Sequence, residues 1–195
     1  MEDLQKIHDY WFGEDPNDLA VITRQSSLWF GKDKQVDQYI KDQFEPLLDI
    51  IERSKALSVQ QSLAQIILLD QFTRNIYRGR AEVFAFDSIA LQMVLEGLAL
   101  ADDRQLRPVE RLFYYLPLEH SENLENQKRS VKLYQALTDE VPDEWQPAFD
   151  GFLDYAIRHQ AIIARFGRFP HRNAILGRIS TAEESEFLKQ PGSSF

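Results

Sequence analysis

A chain of 195 residues with a formal net charge of −9 and no cysteine is long enough to bury one core without staples, and it has no disulfides, thiolate zinc sites or cysteine nucleophiles. Acidity of this size argues against general nucleic-acid binding, which depends on neutralising phosphates. The opening MEDLQKIHDYWF carries acids early and no continuous apolar stretch, and no later apolar run is long enough for a membrane span, so a cytoplasmic protein without a membrane partner is expected.

Helical periodicity runs from end to end and no convincing period-two strand interrupts it. It predicts an all-α fold of eight or nine helices, in one domain over residues 1–190 with a loose tail at 191–195. The first two helices, 3–12 and 16–30, each end on an aromatic pair, in YWFGED and LWFGKD. Pro16 stands where a first turn tolerates a missing N–H, and Gly31 where a left-handed cap would stop the second helix. A third helix is expected over 34–52. Short connections between helices of this length suit stacked antiparallel hairpins of the tetratricopeptide kind.

The fourth helix, 58–77, opens on the capping-box spacing of Ser58 and Gln61 and closes at Gly79. Its residues are apolar almost all round, which predicts a buried central helix. Leu63, Ile67, Asp70 and Arg74 share one face, so Asp70 and Arg74 form an i,i+4 pair of opposite charge that is at least half buried. Gln71 and Asn75 extend this polar strip. Alone, the pair reads as a structural ion pair more readily than as an anion site.

Further helices are expected at 82–101, 108–116, 121–138, 147–166 and 181–189. Pro108 suits a first turn, Pro117 stops the sixth helix, and Ser121 followed by Glu122 suits the start of the seventh. Glu119 and His120 occupy that junction, and capping does not require His120. On 147–166, His159 falls in the apolar stripe, where a hydrogen-bonded core histidine is the plainer reading. Pro142 and Pro170 punctuate the connections, and Thr181 with Glu184 has capping-box spacing.

The stretch RFGRFPHRN, 165–173, concentrates the positive charge. From Tyr155 to Ala182 there is no Asp or Glu, yet there are five arginines: Arg158, Arg165, Arg168, Arg172 and Arg178. Gly167 can take a left-handed cap, Phe169 must be extended before Pro170, and the turn displays Arg168, His171, Arg172 and Asn173. Arginine suits planar recognition of carboxylate or phosphate. Dinucleotide, P-loop, nucleophile-elbow, zincin and EF-hand signatures are absent, and the four histidines show no metal-ligand spacing. No cofactor and no metal are therefore expected.

The stretches LLDQFTRNIYRG, LPLEHSE and IIARFGRFPHRNAILGR closely resemble motifs of a bacterial family known as domain of unknown function 924. The N-terminal WFG and the late STAEE extend that resemblance over essentially the whole chain. It implies an all-helical, tetratricopeptide-like fold, although the usual repeat period is missing, and it implies no established activity. It marks Asp70, Gln71, Arg74, Asn75, Glu119, His120, Arg168, His171, Arg172 and Asn173 as motif positions.

These motifs adjoin apolar helices that should pack together. The first expectation is a small anionic ligand, bearing phosphate or carboxylate, in a basic inter-helix pocket built from those residues and His159. His120, His159 and His171 are the acid–base candidates, and whether the chain is an enzyme stays open. The alternative is a helical binding module selecting an acidic peptide or protein. A third reading makes the motif residues a polar skeleton only. A homo-oligomer is compatible with any of the three.

Overall fold

The computed structural model describes residues 2–50 and 58–194, and among them every regular element is helical. In chain order these are α1 (Glu2–Phe12), α2 (Asp18–Phe30), α3 (Lys34–Ile50), α4 (Val59–Ile66), a π-helical turn (Ile67–Phe72), α5 (Thr73–Ile76), a 3-10 turn (Ala81–Phe84) and α6 (Asp87–Ala99). Then follow a 3-10 turn (Asp102–Gln105), α7 (Pro108–Tyr114), α8 (Leu116–Glu119), α9 (Leu124–Glu140), α10 (Gln146–Phe166), a 3-10 turn (Pro170–Arg172) and α11 (Ala182–Phe187). The end of the expected helix 34–52, at residues 51–52, and Phe195 of the expected tail lie outside the described residues.

The expected central helix is present. Leu63, Ile66, Ile67, Leu68, Asp70, Phe72 and Thr73 are all fully buried. Helices α1, α3, α6 and α7 pack around it, and α9 and α10 form an antiparallel pair alongside α8. The WFG echo marks a contact between two helix ends. The Trp29 indole donates to the Trp11 carbonyl at 3.0 Å, and its ring meets Phe113 at 4.5 Å. Trp11, Phe12 and Trp29 are buried, but Phe30 is 61% exposed.

Both capping boxes form, at Ser58–Gln61 and Thr181–Glu184. Pro108 takes the first turn of α7, and Gly79 and Gly167 adopt φ of +81° and +68°. Several expected boundaries differ, among them the helix expected over 82–101, which spans only Asp87–Ala99 after a separate 3-10 turn. The second helix begins after Asn17 rather than at Pro16, because the Asn17 side chain accepts from the Ala20 N–H. Gly31 is extended, at φ −74°. Glycine serves there for closeness, since a Cβ would lie 2.2 Å from the Ser27 carbonyl oxygen. Pro117 starts α8 instead of stopping a helix, as a proline can where no N–H is needed. Asn123, not Ser121, caps α9, accepting from the Glu125 and Asn126 N–H groups, so Glu122 lies outside that first turn.

Gly97 of α6 faces Tyr114 of α7, where a Cβ would sit 1.9 Å from the phenol oxygen. Tyr114 is fully buried and has no room to swing away. Gly97→Ala should therefore cost about 1–3 kcal/mol by overpacking, lowering Tm by about 2–4 °C for each kcal/mol. Adding Tyr114→Phe, which removes the clashing oxygen, should restore part of that loss. Thermal melts of the four chains check this, and equal Tm for Gly97→Ala and wild type would refute the close approach.

Candidate functional site

The π turn carries Asp70 into the core with its carboxylate completely buried. A sequence periodicity assumes α geometry throughout, and the wider turn here re-aims the residues around it. Asp70 accepts from the Gln71 amide at 2.5 Å and from His120 Nδ1 at 2.8 Å, and Arg74 Nη2 lies 3.4 Å away. Burial by itself would raise the Asp70 pKa, but the charge of Arg74 and the contacts with His120 and Gln71 hold it well below the usual carboxylate range. Since the ionised carboxylate can only accept, His120 Nδ1 carries the proton and Nε2 keeps its lone pair. Burial, then Arg74, lowers the His120 pKa against the pull of Asp70, so the ring is neutral near pH 7.

Arg74 is committed elsewhere. Its guanidinium spans both oxygens of Asp87, at 3.1 and 3.4 Å, and also reaches the Val83 carbonyl. Beyond Asp87 stands Arg172, whose Nη1 is 3.8 Å from the Asp87 carboxylate. Its guanidinium lies 4.6 Å from the Phe84 ring centroid and 4.5 Å from that of Phe169. Arg172 is only 8% exposed, its Nε has no hydrogen-bond partner, and burial followed by the Arg74 charge pushes its pKa down to about 10. A cleft of about 330 Å³ opens beside it, lined by Phe84, Asp87, Ser88, His120, Ser121 and Glu122 among others.

Glu119 turns to a different side of α8. It is buried, 3.1 Å from His159 Nδ1, which is also 2.8 Å from the Tyr155 carbonyl. A carbonyl only accepts, so Nδ1 of His159 bears the proton. Burial pushes His159 down to about 3, and burial plus the Asp70 charge pushes Glu119 up to about 8. Both are therefore neutral at pH 7, in close contact without forming an ion pair.

The basic bend finds its acids outside its own stretch. Arg168 binds both oxygens of Glu184, at 2.6 and 2.8 Å, and Arg165 pairs with Glu183. Arg178 spans Glu122, which also accepts the Phe169 N–H at 2.8 Å. Phe169 is fully buried and Phe166 packs on Phe187, so both rings anchor the turn as expected. Asn173 donates to Ser180, and Asn75 donates to Asp37, a contact shared with Arg78. His171 packs beside the Phe169 ring, and burial with the Arg172 charge lowers it to about 4.

The structure thus brings Asp70, Gln71, Arg74, His120 and Arg172 together, with Glu119 and His159 behind them. Arg168, Asn173 and Asn75 serve other contacts. Asp87, Glu122 and Phe84 complete the cleft; Asp87 and Phe84 lie outside the quoted motifs, and Glu122, in the motif LPLEHSE, was expected only to start a helix. The one available signal was electrostatic: an acid-free stretch with five arginines must recruit carboxylates from elsewhere. Chemically, the cleft offers a buried cation only loosely paired with Asp87 and an imidazole oriented by a carboxylate. Among the described residues, no group of three or more His, Asp or Glu is placed to hold a metal ion, and no helix is long and apolar enough to cross a membrane.

The sequence model of a family described as "Bacterial protein of unknown function (DUF924)" matches residues 7–192. The solved structure of a protein of unknown function, ATU0120 from Agrobacterium tumefaciens, is similar at 32% identity and a TM-score of 0.78, covering 95% of this chain and 96% of that one. No curated protein matches the chain.

Glu119 makes stability fall with rising pH. Its folded pKa of about 8 stands above the ordinary 4.5, so the native state holds an extra proton between those values and loses stability across that window. His159 and His171, shifted downward from 6.5, have the opposite sign and change stability only below that pH. Between pH 6.5 and 8 the Glu119 effect stands alone, and urea titrations should show a decline on the order of 1–2 kcal/mol. Glu119→Gln should be flat over the same range. A wild-type profile without the decline would mean that Glu119 is already ionised.

Proposed function

The chain belongs to the DUF924 family of bacterial proteins of unknown function, and we propose that this member binds the phosphate or carboxylate group of a small anionic ligand in the cleft beside Arg172. The observation that carries this reading is the buried Arg172 guanidinium, which has no hydrogen bond to Nε and no carboxylate nearer than 3.8 Å. A buried cation whose nearest carboxylate is this far away is poorly compensated, and an oxyanion in the adjoining cleft would supply the missing counter-charge in the planar manner arginine favours. Phe84 and Phe169 hold the guanidinium plane from either ring, so little side-chain freedom remains to be lost on binding.

His120 adds directional chemistry. With Nδ1–H fixed on Asp70, Nε2 can accept a hydrogen bond or a proton from a ligand hydroxyl at the same cleft. The cleft volume of about 330 Å³ suits a small metabolite. The observations favour this over a broad surface for an acidic protein, because Arg165, Arg168 and Arg178 are already paired with Glu183, Glu184 and Glu122. The same pairings make Arg168 part of the polar skeleton.

Thermal shift with inorganic phosphate and with succinate, at constant ionic strength, tests the reading. A ligand at about 100 times its Kd adds about 2.7 kcal/mol, which should raise Tm by several degrees. Arg172→Gln should abolish the shift and Arg172→Lys should weaken binding at least about tenfold, since an ammonium lacks the planar fork. Arg168→Gln should retain the shift. No response of the wild type to either anion, or an unchanged response in Arg172→Gln, overturns it.

A further inference from the structure

We propose that a second groove, between α2, α8 and α10, is a binding site for a small alkylated ammonium group, with the Glu119 carboxyl at its floor and the rings of Phe30, Phe152 and Tyr155 around it. This site does not rest on the anion reading. Leu116 and Glu119, three residues apart on α8, face this groove, whereas Pro117 and His120 face the cleft beside Arg172.

The first support is the aromatic wall. Phe30 is 61% and Tyr155 48% exposed, and the Phe30 and Phe152 rings lie 5.9 Å apart around a groove of about 230 Å³. Phe30 is the member of the two WFG pairs that the core does not cover. Aromatic faces attract cations, and rings grouped around a concavity are suited to an alkylated ammonium whose methyl groups also bury apolar area. The protein already uses one of these faces in this way, because the Arg158 guanidinium sits 4.3 Å from the Tyr155 ring centroid while paired with Asp154.

The second support is Gly151. It lies inside α10, where glycine costs about 1 kcal/mol relative to alanine, and its φ is not in the left-handed region. A Cβ there would meet nothing within 4 Å, so internal packing does not require the glycine. It lines the groove, and a larger side chain there has open space at the groove edge to occupy.

The third support is the charge of the floor. Among the described residues, Glu119 is the one carboxyl lining a groove that is otherwise apolar apart from the Tyr155 phenol. The groups around it are Asp70 from the π turn, His120 following α8, Tyr134 from α9, and Tyr155, Arg158 and His159 from α10. Asp70 disfavours a second negative charge and Arg158 only partly offsets it. An entering cation supplies the missing charge: Glu119 releases its proton to solvent and becomes the counter-ion. An anion would face both carboxylates, and a neutral apolar group would gain the rings alone.

Choline and its uncharged carbon isostere, 3,3-dimethylbutan-1-ol, test this by calorimetry between pH 6 and 9. Wild type should bind choline at least about tenfold more tightly than the alcohol at pH 8. Choline affinity should rise by nearly tenfold per pH unit below pH 8, with release of one proton, and level off above it. Glu119→Gln should lose both the preference and the pH dependence. Gly151→Leu should block both ligands without lowering Tm, which separates occlusion of the groove from unfolding. Arg172→Gln should leave choline binding unchanged, so failure of the anion site and failure of this one are distinguishable. Equal affinity for choline and the alcohol in wild type, or a Glu119→Gln chain that keeps the preference, overturns the proposal.

Discussion

An ionised carboxylate in the middle of the central helix dictates much of what surrounds it. Asp70 has no access to water, so its charge must be met by protein groups or be lost to protonation. Gln71, His120 and Arg74 meet it from the helix itself and from the end of α8. Arg74 in turn brings a surplus of positive charge that Asp87 absorbs, and Asp87 is then too occupied to satisfy Arg172. The cleft cation is the unfinished end of a chain of compensations that begins in the core.

The same carboxylate shapes the other side of α8. Its charge helps to keep Glu119 protonated, and Glu119 settles against a neutral His159. Two histidines, the half-buried His120 and the buried His159, thereby come within 6.3 Å of each other without either carrying charge near pH 7. The neutral form avoids the repulsion that two imidazolium rings would suffer in a low-dielectric setting.

Much of the fold is legible in the sequence because it follows from local rules. The all-round apolar pattern of 58–77 gives a buried helix, Ser58–Gln61 and Thr181–Glu184 give capping boxes, and Phe169 before Pro170 gives an extended anchor. The π turn at Ile67–Phe72 is not legible, since one wider turn leaves no mark on apolar periodicity. Nor are the partners of the basic bend. Arg178 meets Glu122 across 56 positions and Arg74 meets Asp87 across a turn of different geometry, pairings set by tertiary packing alone. Ser121 illustrates a nearer failure: its hydroxyl suits a cap, but Asn123 two residues later reaches the free N–H groups first.

The brevity of α8 has its own consequence. One turn of four residues and the His120 that caps it present Leu116 and Glu119 to one concavity and Pro117 and His120 to another. Each residue added to or removed from that turn rotates everything after it by about 100°, so Glu119 and His120 would leave their places together. The two cavities are tied to a common axle. Lengthening this segment cannot adjust one while sparing the other.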